Sequence, residues 1–136
     1  MNTTRVYKKI EEENIPIVDC EIDGFKGLIV GVDGRCGIFI NSKEIENSDE
    51  EFMILAHEWG HYASGTLHGF GTNKTQVGQC EYRADRKAII EFLPFEHIQE
   101  AIKYGCQEVY EFSEFLNLPE GFVAKAFNHY RAMGRL

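Results

Sequence analysis

The 136-residue chain reads as an α+β protein: a small, mostly antiparallel sheet of about three strands, followed by a helical bundle. Three observations predict this. Apolar, β-branched runs broken by glycine cluster between residues 17 and 41. A capping-box pattern then opens the first of several stretches with apolar residues at helical spacing. No linker, repeat or low-complexity run divides the chain, so residues 1–136 are expected to form one domain.

The elements follow in order. NTTRVYKKIEEEN places Val6 and Ile10 on one helical face, with a threonine available as N-cap and Pro16 beyond the end. IVDCEID, GLIVGVD and CGIFIN read as strands, and Asp33-Gly34 is a type I′ hairpin signal. Ser48-Asp49-Glu50-Glu51 has the hydroxyl and the glutamate of a capping box, so a helix should begin near Asp49. Phe52, Leu55, Ala56 and Trp59 would turn to the core, with His57 and His61 projecting beside them. Gly65, Gly69 and Gly71 mark a loop that runs to about Val77.

QCEYRADRKAIIEFLP is a second long helix, with Cys80, Ala84, Ala88 and Phe92 on one stripe and Pro94 closing it. FEHIQEAIKYG is a third, ended by Gly105. The tail, about 106–136, reads as two helices around a tight turn at Asn117 to Pro119. It resembles a helix-turn-helix and is expected to pack as part of the domain.

Composition excludes several classes. A formal charge of −8 argues against whole-surface attraction to nucleic acid. No apolar run approaches the length of a membrane span. Cys20, Cys36, Cys80 and Cys106 are scattered, with no CxxC pair or signal peptide, and read as reduced thiols in a cytoplasm.

The chemistry concentrates at His57-Glu58-Trp59-Gly60-His61. Histidines four apart on a helix hang over the same side, which gives half of a tetrahedral zinc site. Glu58 can reach water rather than metal and is the expected general base. The predicted architecture is therefore zincin-like. Two residues compete to complete it. His68 would give a three-histidine set, but the metzincin spacing HExxHxxGxxH is missed by one residue before Gly65, and the expected methionine turn is absent. Glu81, in Glu81-Tyr82-Arg83-Ala84-Asp85, gives the His₂Glu set of thermolysin-type sites and is favoured. Asp85, one turn on, can hold the free N–H of a ligating histidine. Standing alone, Glu81 and Asp85 would read as a solvated face paired to Arg83, Arg86 or Lys87. Small Ala84 between them allows close helix packing.

HEWGH followed by EYRAD resembles the ImmA/IrrE family of zinc metallopeptidases, often carried by prophages and mobile elements. The likeness extends over most of the chain: the strand ending Ile40-Asn41, the Leu93-Pro94 boundary, and Phe112, Phe115, Leu116, Pro119 and Phe122 in the tail. It implies a cytoplasmic endopeptidase that cleaves a helix-turn-helix repressor and so switches on silenced genes. By position, His57, His61 and Glu81 would bind Zn²⁺ and Glu58 would activate water, with Asp85 as a weaker transfer. Trp59 stands where a smaller apolar residue is common.

Several expectations remain open at this level. Tyr62, His68, Tyr82 or His129 could supply a second oxyanion donor. Cys36 to Asn41 is either an edge strand on which substrate lies extended or a plain core strand. The tail could present Lys125, His129 and Arg131 to a DNA groove, although the acidic balance opposes it. A metal-stabilised protein that captures a repressor without cutting it is the other rival.

Overall fold

In a computed structural model the described residues are 3–21, 23–67 and 74–136. They form an α+β fold with a three-stranded sheet and six α-helices. The first helix, α1 (Thr3–Glu12), buries Val6 and Ile10 completely. Thr3 and Thr4 both lie inside it, so the cap position falls outside the described residues. Its Arg5 donates to the carbonyls of Glu91 and Phe92 at 2.8 and 2.9 Å, capping the C-terminus of a later helix.

Strands β1 (Ile17–Asp19), β2 (Gly27–Val32) and β3 (Arg35–Ile40) lie in the order β1-β3-β2. The long pair, β2–β3, is antiparallel, and the short pair, β1–β3, is parallel, so the sheet is mixed. The parallel strand arises because the β1–β2 connection passes over the end of β3: Asp19 and Gly27 both pair with Ile40. Asp33 and Gly34 have φ of 51° and 76°, the left-handed pair that a two-residue type I′ turn requires. Of the candidate edge strand Cys36 to Asn41, residues 36–40 therefore lie on the central strand, not an edge, and Asn41 follows it.

Helix α2 (Ser48–Ser64) is capped one residue earlier than the sequence pattern suggests. Asn47 is extended, and its side chain accepts from the Glu50 N–H at 2.9 Å. A cap must stand outside helical φ/ψ, which Asn47 does and Ser48 does not. Asp49, Glu50 and Glu51 in the first turn suit the helix dipole, and Gly65 closes the helix at φ 68°. Phe52, Leu55, Ala56 and Trp59 are buried as their spacing predicts.

Helix α3 (Lys74–Phe92) begins a few residues earlier than the expected loop end near Val77, and its backbone meets that of α2 closely. A Cβ on Gly60 would stand 2.1 Å from the Ala84 carbonyl oxygen, so only glycine lets the two backbones meet there. Helices α4 (Phe95–Lys103), α5 (Val109–Leu116) and α6 (Glu120–Ala132) complete the bundle. Gly105 (φ 97°) follows α4, and Asn117 (φ 55°) turns α5 into α6. Phe122 meets Phe52 edge to face at 5.2 Å, and the Tyr130 hydroxyl donates to the Leu93 carbonyl at 2.9 Å. One hydrophobic cluster runs from Val6 to Tyr130, so the tail shares the core of the rest. Among the described residues, no helix is long and apolar enough to cross a membrane. All four cysteines are free thiols.

Candidate metal centre

The α2–α3 crossing brings the ligand candidates together. His57 and His61 rise from one side of α2, and Glu81 approaches from α3. His57 Nε2 lies 3.1 Å from His61 Nε2 and 2.5 Å from Glu81 Oε2, while His61 Nε2 lies 3.0 Å from Glu81 Oε1. Donors about 2.0–2.1 Å from a tetrahedral zinc stand roughly 3.3–3.4 Å from one another. The 3.1 and 3.0 Å separations come within a few tenths of an ångström of that spacing, while the 2.5 Å contact of His57 with Glu81 is shorter than a bound ion would set.

The outward nitrogens decide which atoms face the centre. His57 Nδ1 lies 2.9 Å from Asp85 Oδ1, and His61 Nδ1 lies 2.9 Å from the Thr66 carbonyl oxygen. A carboxylate and a carbonyl only accept, so both Nδ1 atoms carry the proton and both Nε2 atoms carry lone pairs. Two lone pairs and a carboxylate therefore converge on one point. Acceptors facing acceptors repel unless a cation lies between them. A proton on one nitrogen satisfies one contact, whereas a metal ion satisfies all three. The donor chemistry fits a metal, and His57, His61 and Glu81 can hold one.

The electrostatics favour positive charge at this point, as a proton on His57 or as a metal ion. Burial pulls the His57 pKa down, but the hydrogen bond to Asp85 and the charges of Glu81, Asp85 and Glu58 outweigh it, and the net shift is upward. Burial pushes the Asp85 carboxyl up; the His57 hydrogen bond and the Lys125 ammonium overcome this and hold it below its ordinary value. Asp85 is thus an ionised acceptor that fixes the His57 ring.

Glu58 is half-buried and lines the same cleft as His57. This cleft, a cavity of about 340 Å³, is walled by Phe25, Gly27, Met53 and Ile54 and includes Lys125 of α6. Lys125 Nζ lies 3.3 Å from Asp85 Oδ1. It therefore stands beside the candidate metal ligands.

The oxyanion candidates separate. Tyr62 donates to Glu13 at 3.2 Å and lines a different cavity. His129 is buried, packed against Tyr130 and beside the exposed Tyr82. Buried in the interior, it cannot face a DNA groove. His68, the alternative ligand, lies outside the described residues, as does most of the loop around it. Glu81 and Asp85 take histidines and Lys125 as partners instead of Arg83, Arg86 or Lys87.

Three contributors escaped sequence reasoning. Gly60 had a signal, because a glycine inside a helix costs about 1 kcal/mol relative to alanine and calls for a packing reason. Thr66 and Lys125 had none, since their roles depend on where distant elements meet. Comparison of the chain with protein-family models, with curated proteins and with solved structures gives no match.

Proposed function

We propose that this protein is a zinc-dependent endopeptidase of the ImmA/IrrE kind, acting in the cytoplasm on a helix-turn-helix transcriptional repressor. One observation carries the catalytic part: three metal-donor atoms converge, and one of their residues, His57, lines a cleft together with Glu58. The repressor as substrate rests on the resemblance of HEWGH and EYRAD to that family. Two neutral imidazoles and one carboxylate suit zinc among the divalent ions.

A divalent ion held there supplies Lewis acidity, which acidifies water and polarises a carbonyl. The protein's own residues do the rest. Glu58 takes the proton of the attacking water and returns it to the leaving amine nitrogen. Asp85 keeps His57 in the Nδ1–H tautomer, and Lys125 balances the Asp85 charge at the cleft wall.

Substrate would pair with β2, which among the described residues bonds only to β3. The Asn41 N–H donates to the Lys26 carbonyl, so Lys26, Leu28, Val30 and Val32 turn their backbone groups towards β3. By antiparallel alternation Gly27, Ile29 and Gly31 turn theirs outward. The start of this edge lines the cleft.

Co-expression with candidate helix-turn-helix repressors tests the reading. A cut is expected, and Glu58→Gln should slow it by about 10²–10⁴-fold while zinc content is unchanged. Relief of repression by the Glu58→Gln protein equal to that by wild type would replace catalysis with simple capture. A purified protein without zinc, or one whose zinc survives Glu81→Ala, would remove the ligand set.

A further inference from the structure

Helix α3 has two faces. At 100° per residue, Glu81 and Asp85 share one side, while Arg83, Arg86, Lys87 and Ile90 lie roughly opposite. The second face borders a cavity of about 550 Å³ that Ala63 and Ser64 of α2 close from the other side. The three cations are exposed. No carboxylate among the described residues lies within ion-pair distance of any of them, in a chain whose formal charge is −8.

Local sequence does not neutralise this face. Arg83 and Lys87 stand at i, i+4, a like-charge spacing that weakens a helix. Glu91, the acid four residues beyond Lys87, is taken by Lys9 of α1 at 3.3 Å. The carboxylates on α3's other face are held by His57, His61 and Lys125. Several other cations among the described residues are engaged: Lys26 with Glu50, Lys43 with Glu21, Arg5 with carbonyls, and Arg135 over the Phe95 ring. The concavity thus gathers positive charge that the fold leaves without a counter-charge.

We propose that this concavity is a docking site for an acidic segment of a partner protein, on the side of α3 away from the metal centre. Two guanidinium forks and an ammonium match carboxylates. Ile90, 44% exposed, and Ala63 add an apolar floor, so the occupant is an acidic stretch with an apolar residue among its carboxylates. Phosphate backbones would gain nothing from that floor, and the −8 charge repels long polyanions. The site stands independently of any hydrolysis at His57, His61 and Glu81.

The test uses the full chain and three fluorescein-labelled probes: an acidic peptide containing leucine, its lysine-substituted counterpart, and a single-stranded oligonucleotide. The acidic peptide should bind saturably, and more weakly as salt rises from about 50 to about 200 mM. Arg83→Glu/Arg86→Glu/Lys87→Glu should weaken it by about tenfold or more. Lys8→Glu/Arg35→Glu/Lys103→Glu, an equal change of net charge at exposed positions elsewhere, should leave it within about twofold. Arg83→Gln/Lys87→Gln, a milder change, should weaken it by an intermediate amount, and circular dichroism verifies folding of each variant. The proposal is overturned if wild type shows no saturable binding, if both charge-reversed proteins weaken equally, or if the oligonucleotide competes for the same three cations more tightly than the peptide.

Discussion

The α2–α3 crossing and the α5–α6 pair are both two-helix units, yet they are held together in different ways. At the first, backbone meets backbone where Gly60 abuts Ala84. At the second, large rings fill the space: Phe112 of α5 meets Phe127 of α6 edge to face at 4.9 Å, and Phe122 of α6 carries the same packing on to Phe52 of α2. Backbone contact leaves no side chain to adjust, so the separation of His57, His61 and Glu81 is fixed within narrow limits. Ring packing supplies burial and tolerates small shifts. The molecule uses close approach where geometry decides chemistry and aromatic bulk where stability suffices.

Substitutions can break that contrast, beginning with the largest effect. Gly60→Val would force branched carbons into the Ala84 carbonyl, and we expect a loss of about 4 kcal/mol or more, read from urea unfolding. Any folded fraction should bind zinc poorly, because the helices must separate; full stability would refute the backbone contact. Phe122→Ala should cost about 3–4 kcal/mol by leaving a cavity under Phe52. Under native conditions, however, its zinc affinity per folded molecule should match wild type. A parallel loss of affinity would show that the tail also sets the ligand geometry.

Asp85→Asn is a finer probe. It removes the charge that orients His57 and leaves Lys125 without its partner, so zinc affinity should fall by about 10–100-fold, measured by competition with a chelator, with little change in unfolding midpoint. Wild-type affinity would mean that Asp85 only solvates the helix face.

The smallest effect separates the regions by pH. His129, in α6, is held below its ordinary 6.5 chiefly by burial and then by Arg86. The unfolded chain therefore takes a proton near pH 6.5 that the folded chain refuses, and stability falls as pH drops from there through the lower folded value. His57 in the metal-free protein runs oppositely. Its raised pKa adds stability that is full below 6.5 and fades as pH rises through the folded value. Urea midpoints across pH should lose the acid-side slope in His129→Phe and keep it in His57→Phe; the reverse pattern would exchange the two assignments.

Much of this was legible in the sequence. Val6 and Ile10, the α2 stripe from Phe52 to Trp59, and the Asp33-Gly34 turn each follow from periodicity or φ preference within a few residues. The pairing of His57 with His61 is equally local. Glu81 was harder, since its case rested on ligand chemistry and a plausible second helix. The cap was misplaced because Asn47 and Ser48 are both good capping residues, and only the backbone angles choose between them. The central place of β3 was not decided either, because alternating apolar residues look alike on an edge and in the middle of a small sheet.

By itself, then, the sequence determined most of the inventory: the helices and strands to within a few residues, and the side chains that can ligate a metal. These depend on contacts within one or two turns, which local spacing encodes. Tertiary structure alone decided that β2 is an open edge, that it is His57 whose N–H Asp85 holds while Thr66 holds that of His61, and that Lys125 from the last helix enters the site. Those facts depend on where elements distant in sequence come to meet, and that meeting is fixed by packing at points such as Gly60 on Ala84.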